Sequence, residues 1–209
     1  MKLFICGNSG RMSQAIKILA QAYPDIELLA HPEKNCAIID FTAPAPFEAN
    51  LELALENQAT YMIGTTGLNQ EQLNSLKPAS QKIPILWAPN TSLGANLQME
   101  LARISSQILS EFHVSIQDIH HQHKKDAPSG TALALQKAVG RDCEITSSRT
   151  GEVAGIHEII FSSALENLSI KHEVLGRKVF AQGALWASLF LSKQKPGLYT
   201  MKDVLGLPQ

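Results

Sequence analysis

Through its first half the chain alternates short, densely apolar runs with segments whose apolar positions recur every three or four residues. Lys2–Cys6, Ile26–Ala30, Cys36–Phe41, Thr60–Gly64 and Ile83–Ala88 predict strands; Arg11–Ala22, Ala45–Asn57 and Asn69–Gln81 predict helices. Cys36-Ala37-Ile38-Ile39 and Tyr61-Met62-Ile63 run apolar without alternation, as strands covered on both faces do. The order predicts a parallel α/β sheet. One junction departs from it: only His31-Pro32-Glu33-Lys34-Asn35 separates the second predicted strand from the third, whereas a parallel crossover needs about a dozen residues. Either these strands pair differently, or Ile26–Ala30 is a displaced edge strand.

A longer amphipathic segment follows. Leu97, Leu101, Ile104, Ile108 and Phe112 predict a helix that opens at Ser92-Leu93-Gly94 and packs through this one face. Val114, Ile116, Asp118 and His120 then alternate as in a strand, Pro128 interrupts, and Ser129-Gly130-Thr131 opens a helix carrying Ala132, Leu133, Leu135, Ala138 and Val139. Ile156–Ser162, Leu168–Glu173 and Lys178–Ala181 predict further strands, and a helical pattern returns from Gly183. Residues 93–181 therefore read as an α+β domain, and 1–92 with 182–209 as the α/β domain. No internal repeat is present.

Composition narrows the function classes. The chain of 209 residues is 44% apolar, enough for an ordinary core, and its net charge of −1 offers neither a basic face for nucleic acid nor an acidic tail. The expected partner is a small molecule. Cys6, Cys36 and Cys143 are odd in number and widely spaced, which predicts reduced thiols and a cytoplasmic setting rather than a disulfide framework. The apolar run before Gly7 is too short for a secretory signal, and no stretch is long enough to span a membrane.

The densest chemistry lies in His120-His121-Gln122-His123-Lys124-Lys125-Asp126-Ala127-Pro128-Ser129-Gly130-Thr131. Three imidazoles and two ammonium groups precede a helix start, whose open N–H groups and partial positive charge favour a carboxylate or phosphate. Histidine titrates near neutral pH and lysine supplies a positive charge or a proton, so the segment predicts an anion site with proton transfer. Zinc is the competing use. No cysteine or carboxylate follows at a regular ligand spacing, and a continued strand would send His121 and His123 to one face and His120 to the other, so no metal is expected. His31, His113, His157 and His172 read singly as surface or satisfied core residues.

The first predicted strand ends in Gly7-Asn8-Ser9-Gly10-Arg11-Met12-Ser13, a glycine turn opening a helix, which is how dinucleotide sites bring a pyrophosphate to backbone N–H groups. Its spacing is not GxGxxG, and such turns also occur without ligands. Gly64-Thr65-Thr66-Gly67 and Ala88-Pro89-Asn90-Thr91 fall at the carboxyl ends of two more strands, where open α/β sheets bind ligands. Each alone reads equally well as a plain turn; on one edge with Gly7–Met12 they predict a shared cofactor groove.

Together these motifs resemble the 4-hydroxy-tetrahydrodipicolinate reductase family, also called dihydrodipicolinate reductases. Gly7-x-x-Gly10-Arg11-Met12 is similar to that family's nucleotide turn, Asp40-Phe41-Thr42 to its DFT segment, Gly64-Thr65-Thr66-Gly67 to its GTTG loop, and Ala88-Pro89-Asn90 with Ser92 and Gly94 to its hinge. His120-His121-x-His123-Lys124-x-Asp126-Ala127-Pro128-Ser129-Gly130-Thr131-Ala132 resembles its signature, and Phe180-Ala181-x-Gly183-Ala184 its closing segment. The resemblance implies an α/β, Rossmann-like nucleotide-binding domain plus an α+β substrate and oligomerisation domain with a mixed sheet. It implies an oxidoreductase of diaminopimelate and lysine biosynthesis, a homotetramer that uses NADH or NADPH to reduce a cyclic unsaturated dicarboxylate. The family's proton donor/acceptor falls on His120, its proton donor on Lys124, and its substrate contacts on His121, Gly130 and Thr131. Cofactor contacts fall on Gly7, Asn8, Ser9, Gly10, Arg11, Met12, Gly64, Thr65, Thr66, Ala88, Pro89, Asn90 and Thr91; no metal is implied.

The chain departs from that family at Thr91, where an aromatic residue is usual, and at Ser13, where glycine is usual. It is also shorter, after Ile26–Ala30 and around Glu144–Glu152. The acidic reader of the cofactor ribose has no clear counterpart: Glu27 lies in the strand pattern and Glu33 in the loop, while His31 or Lys34 would suit a 2′-phosphate. A different nicotinamide-dependent reductase of the same fold, or a binding or regulatory homologue without turnover, are the other readings.

Overall fold

Along the chain the elements run β1 (Lys2–Cys6), α1 (Arg11–Ala20), β2 (Glu27–Leu28), β3 (Ala37–Asp40), α2 (Phe47–Glu56), β4 (Thr60–Ile63), α3 (Gln70–Ser80) and β5 (Pro84–Trp87). There follow α4 (Leu93–Ile108), β6 (His113–His120), α5 (Gly130–Val139), β7 (Glu144–Arg149), β8 (Ile156–Ser162) and β9 (Asn167–Glu173), then α6 (Lys178–Leu191), β10 (Gly197–Tyr199) and α7 (Met201–Leu205). This computed structural model describes residues 1–7 and 9–208; Asn8, expected in the nucleotide turn, lies outside the described residues. The chain divides into two compact units, Met1–Ser92 with Lys178–Gln209, and Leu93–Arg177.

In the first unit a parallel sheet has the order β10-β5-β4-β3-β1-β2. Ile38, Ile39, Tyr61, Met62, Ile63, Ile85 and Leu86 are fully buried along its central strands, as their unbroken apolar runs require. The chain steps outward from β1 to β2 and then returns to β3 on the other side of β1. That reversal opens a crevice at the carboxyl ends of β1 and β3.

The second strand is much shorter than Ile26–Ala30. It pairs Lys2 with Glu27 and Leu3 with Leu28, the Leu29 N–H donates to the Leu3 carbonyl, and the chain then leaves β1. Glu33 pairs with Lys2 and the Asn35 N–H reaches the Asn57 carbonyl, so the return runs to the amino end of the sheet. Asn35 makes the bend with φ 60°, a left-handed conformation that asparagine tolerates. With too few residues for a helix, the displaced edge strand is the solution adopted.

Lys178–Ala181, expected as a strand, is the first turn of α6. Ala181, Ala184, Leu185, Ser188 and Leu191 form one buried helical stripe, and a four-residue apolar run has no period of its own to reveal this. The junction between the units therefore falls at Lys178, since a break at 182 would cut the helix. The short, half-exposed β7 and β10 carry too little apolar pattern to be legible as strands.

The second unit holds a mixed sheet of order β7-β6-β8-β9, with β6 and β7 parallel and the other pairs antiparallel. Val114, Ile116, Ile159 and Phe161 of the sheet pack against Ala102 of α4 and Ala132, Leu135 and Val139 of α5. The expected packing face of α4 is reversed. Leu97, Leu101, Ile104 and Ile108 are 41%, 40%, 36% and 73% exposed, whereas Ala95, Gln98, Ala102 and Ser106 are buried. Small residues let the helix lie close to the sheet, and the Gln98 amide donates to the carbonyls of His157 and Ile170 at 2.8 Å each.

Gly183 lies mid-helix in α6, where alanine would ordinarily be favoured by about 1 kcal/mol. A Cβ there would stand 1.8 Å from the Thr91 carbonyl oxygen, and backbone cannot swing aside. Gly183→Ala is therefore expected to lower the urea midpoint, by an equivalent of about 1–3 kcal/mol; a raised midpoint would show that this close approach does not constrain the fold.

Candidate active site

In the first unit, Gly7 closes β1 at φ +75°, a conformation suited to glycine, and a Cβ there would meet the Thr42 methyl at 3.0 Å. Gly10 is the N-cap of α1, whose first turn carries no acidic residue. Ser13, in place of the family's glycine, fits because its hydroxyl turns back to donate to the Cys6 carbonyl at 3.3 Å.

The end of β3 is organised by Asp40, fully buried. One carboxylate oxygen accepts from the Thr42 N–H at 2.8 Å, the Thr42 hydroxyl at 2.7 Å and the Thr65 hydroxyl at 3.2 Å. The other accepts from Asn50 at 2.9 Å and from Tyr61 at 2.7 Å. Burial, and then the Asp40 charge, push the Tyr61 hydroxyl far above its usual range, so it remains a donor. Phe41 covers Gly64, where a Cβ would lie 2.2 Å from its ring.

Met12, Phe41, Thr42, Gly64, Thr65, Thr66, Pro89, Thr91 and Phe180 line a cavity of about 260 Å³ on this edge. The structure thus brings Met12, Gly64, Thr65, Thr66, Pro89 and Thr91 together; Ala88 is buried, Arg11 is exposed, and the Asn90 side chain accepts the Ser92 N–H at 2.9 Å. Thr91 serves a different purpose from an aromatic ring: it is buried and its hydroxyl donates to the Phe180 carbonyl at 2.7 Å. Glycines that admit backbone, a helix start and threonine hydroxyls beside aromatic rings fit a dinucleotide. Phe180 and the Asp40 hub were not among the site residues expected, and only the DFT and closing motifs hinted at them.

In the second unit, the core face of β6 runs Val114, Ile116, Asp118, His120, so the alternation that buries two aliphatic residues also buries a carboxylate and an imidazole. Asp118 Oδ2 accepts from the Ser129 N–H at 2.9 Å, the Ser147 hydroxyl at 3.1 Å and the Arg149 guanidinium at 3.0 Å. Oδ1 lies 2.9 Å from His120 Nδ1 and 3.5 Å from His157 Nε2. Burial pushes the Asp118 carboxyl up, but the bonds from Ser129, Arg149 and Ser147 outweigh it and hold it at about 2.

Ser129 is the N-cap of α5. Its hydroxyl oxygen accepts the Ala132 N–H at 3.2 Å and lies 3.1 Å from His157 Nε2. The helix start at Gly130 and Thr131 has no acidic residue in its first turn, and the space a Cβ would take at Gly130 is open. Lys124 is 2.8 Å from Asp126, whose carboxyl it holds below the usual range. His121 and His123 lie on the preceding turn with ring centroids 6.2 Å apart.

His157, read singly as a bland residue, belongs to the cluster. It stands directly opposite Asp118 across the β6–β8 pair, and its ring meets that of His120 edge-on at 5.1 Å. A register between distant strands carries no local signal. Asp118, His120 and His157 present ligand atoms within 4.8 Å of one another, so a metal ion is geometrically conceivable. The Arg149 guanidinium bound to the same carboxylate places a fixed positive charge there, which favours proton handling over a divalent cation.

Parallel sheet and reversed strand order define a Rossmann-type α/β protein, whose second unit carries a buried histidine–carboxylate cluster. Residues 32–91 match the family model described as dihydrodipicolinate reductase, N-terminus, and residues 94–205 the one described as dihydrodipicolinate reductase, C-terminus. A 4-hydroxy-tetrahydrodipicolinate reductase of Bdellovibrio bacteriovorus is 40% identical over 221 residues, 98% of this chain and 96% of the relative. One from Alkaliphilus oremlandii is 37% identical over 239 residues, 99% of each chain. The chain belongs to the dihydrodipicolinate reductase family, and it is an oxidoreductase. In fold it is similar to a dipicolinate-bound dihydrodipicolinate reductase from Paenisporosarcina sp. TG-14, with TM-score 0.82 at 21% identity over 96% of this chain and 97% of that one.

Burial, and then its neighbour His120, depress His157 to about 4, while burial also lowers His120 and His172. The unfolded chain binds these protons near pH 6.5 and the folded chain does not, so stability is greatest above that pH and declines as pH falls toward 4. For His157 alone the slope approaches about 1.4 kcal/mol per pH unit, and the Asp118 contribution is lost only below about pH 4. Chemical denaturation from pH 7 to 4.5 is expected to show this loss, with a shallower slope in His157→Gln; equal slopes would mean that His157 is not held neutral.

Proposed function

We propose that the chain reduces the dihydrodipicolinate-type intermediate formed from 4-hydroxy-tetrahydrodipicolinate to tetrahydrodipicolinate with NADH or NADPH, in the diaminopimelate route to lysine. The observation that carries the assignment is the signature segment itself: in His120–Thr131 a buried histidine and a helix start both meet the Asp118 carboxylate, and the loop between them carries a lysine paired with Asp126. The names of the relatives support the same reaction.

A nicotinamide at the carboxyl edge of the first unit would supply hydride, held by the Gly7–Met12 turn, Gly64–Thr66 and Ala88–Thr91. The remaining chemistry belongs to side chains of the second unit. Addition of hydride to the far carbon of a conjugated N=C–C=C system sends electron density toward nitrogen, which must be protonated. Lys124 supplies that proton, with Asp126 holding its ammonium in place, and His120 exchanges protons with the reacting group. Substrate carboxylates are received by His121 and by the start of α5 at Gly130 and Thr131. Cationic groups beside the developing charge lower the barrier further.

The three cysteines are unpaired and buried, which supports a reducing, cytoplasmic setting. Among the described residues no helix is long and apolar enough to cross a membrane. The apolar stripe of α4 supports association into a homo-oligomer, for which a homotetramer is our reading.

Lys124→Ala is expected to lower turnover about 10²-fold or more and to weaken dicarboxylate binding, because one ammonium both donates a proton and balances a carboxylate. His120→Ala should lower turnover with little change in binding. NAD(P)H oxidation, with substrate generated by the preceding synthase, measures both. Turnover of Lys124→Ala within about twofold of the parent at saturation would sink the assignment of the acid.

Selectivity between NADH and NADPH is expected to be under about tenfold, less than one good charged contact of roughly 1.4 kcal/mol supplies. The ribose reader sits at the carboxyl end of a second strand, but here β2 leaves β1 at Leu29, and Glu27 and Glu33 pair toward the amino end of the sheet. Values of kcat/KM for both cofactors at one ionic strength decide it; a hundredfold preference would reveal an intact reader.

A further inference from the structure

Histidine has two ring nitrogens, and which of them faces a reacting group is set by what holds the other. His120 Nδ1 and Asp118 Oδ1 are both buried and stand 2.9 Å apart, an ion-pair distance, and neither makes a hydrogen bond to any group among the described residues. On the opposite side of the ring, a Cβ on Gly155 would lie 3.1 Å from Nε2. The missing side chain leaves that nitrogen uncovered.

We propose that Asp118 is the positioning residue of the site: its carboxylate fixes Nδ1 of His120 as the protonated nitrogen, and Gly155 keeps Nε2 open to exchange protons with the substrate. This rests on His120 acting as acid or base, as argued above.

The carboxylate is suited to this because it cannot turn away. Its other oxygen accepts three bonds, from the Ser129 N–H at the start of α5 and from Ser147 and Arg149 of β7. Arg149 also donates to the Asp118 carbonyl at 3.2 Å, so the strand and the carboxylate are clamped together. The same Ser129 caps the helix that begins the anion-receiving segment. His120 is thus registered to the α5 start through one side chain. Its ring is confined by the edge-on contact with His157, which is itself held at Ser129. The charged and titratable groups acting on His120 are Asp118, Lys124, Asp126, Arg149 and His157. Of these, Asp118 lies closest to a ring nitrogen.

The test is the His120 tautomer, read from long-range 1H–15N correlations of the full-length protein labelled at histidine, with His120→Ala assigning the signal. The parent should carry its proton on Nδ1. In Asp118→Asn the side-chain amide donates to Nδ1 instead, the proton moves to Nε2, and kcat falls about 10²-fold or more while KM stays within about threefold. Gly155→Ala leaves the carboxylate network intact and covers Nε2; kcat should fall at least tenfold with the Nδ1–H tautomer retained. It carries the test alongside the parent spectrum if Asp118→Asn does not fold. A parent protonated on Nε2 overturns the proposal, as does Asp118→Asn with unchanged tautomer and turnover, or Gly155→Ala with full activity. If His120→Ala itself turns over like the parent, the acid–base reading is what fails; if His120→Ala is inactive and the Asp118 and Gly155 variants are normal, only the positioning role fails.

Discussion

Each unit is organised by a fully buried carboxylate at the carboxyl end of a central strand, Asp40 on β3 and Asp118 on β6. A buried charge is costly unless donors replace its water, and both positions meet that condition with donors drawn from several segments. Asp40 gathers Thr42, Asn50, Tyr61 and Thr65; Asp118 gathers Ser129, Ser147 and Arg149, with two imidazoles beside it. Apolar residues would pack as well in either place. What a carboxylate adds is direction: each donor must arrive from one angle, so the loops that carry the donors have one arrangement.

That constraint explains which parts of the molecule can be read along the chain. The β1, β3, β4 and β5 strands announce themselves because parallel strands covered on both faces must be apolar throughout. The Gly7 turn, the Gly64–Thr66 loop and His120–Thr131 are local and appear as motifs. The two hubs are assembled from distant segments, and neither Arg149 nor His157 has a neighbour in sequence that marks it. Asp118 is the intermediate case. Its position two residues before His120 puts both on one face of a strand, a signal present in the alternation but outweighed by the density of charge that follows.

Side-chain size explains where the packing departs from the hydrophobic pattern. On α4 the largest apolar residues suggested the packed face, yet the helix buries Ala95, Ala102 and Ser106 and turns Leu97, Leu101, Ile104 and Ile108 outward. Close packing of a helix on a sheet favours small side chains, so a large apolar stripe on its other side needs a separate cover. Gly94 fits the same logic: a Cβ there would lie 2.7 Å from the His172 ring, so close contact within the unit calls for the glycine. Gly183 against Thr91 and Gly64 under Phe41 repeat the pattern in the first unit.

The shortened β2 shows how a chain can lose residues at the sheet edge without disturbing the crevice. Edge strands contribute one side of pairing, and β2 covers only Lys2 and Leu3 of β1, while β1 is held along its other side by β3 from Leu3 to Cys6. Gly7 therefore keeps its position through the β1–β3 pair and the Asp40 hub at its end, independent of the edge. Phosphate-binding and hydride-delivering parts of a dinucleotide site depend on that pair, whereas ribose selection depends on the edge. Cofactor discrimination is thus the property that this fold can relinquish at least structural cost.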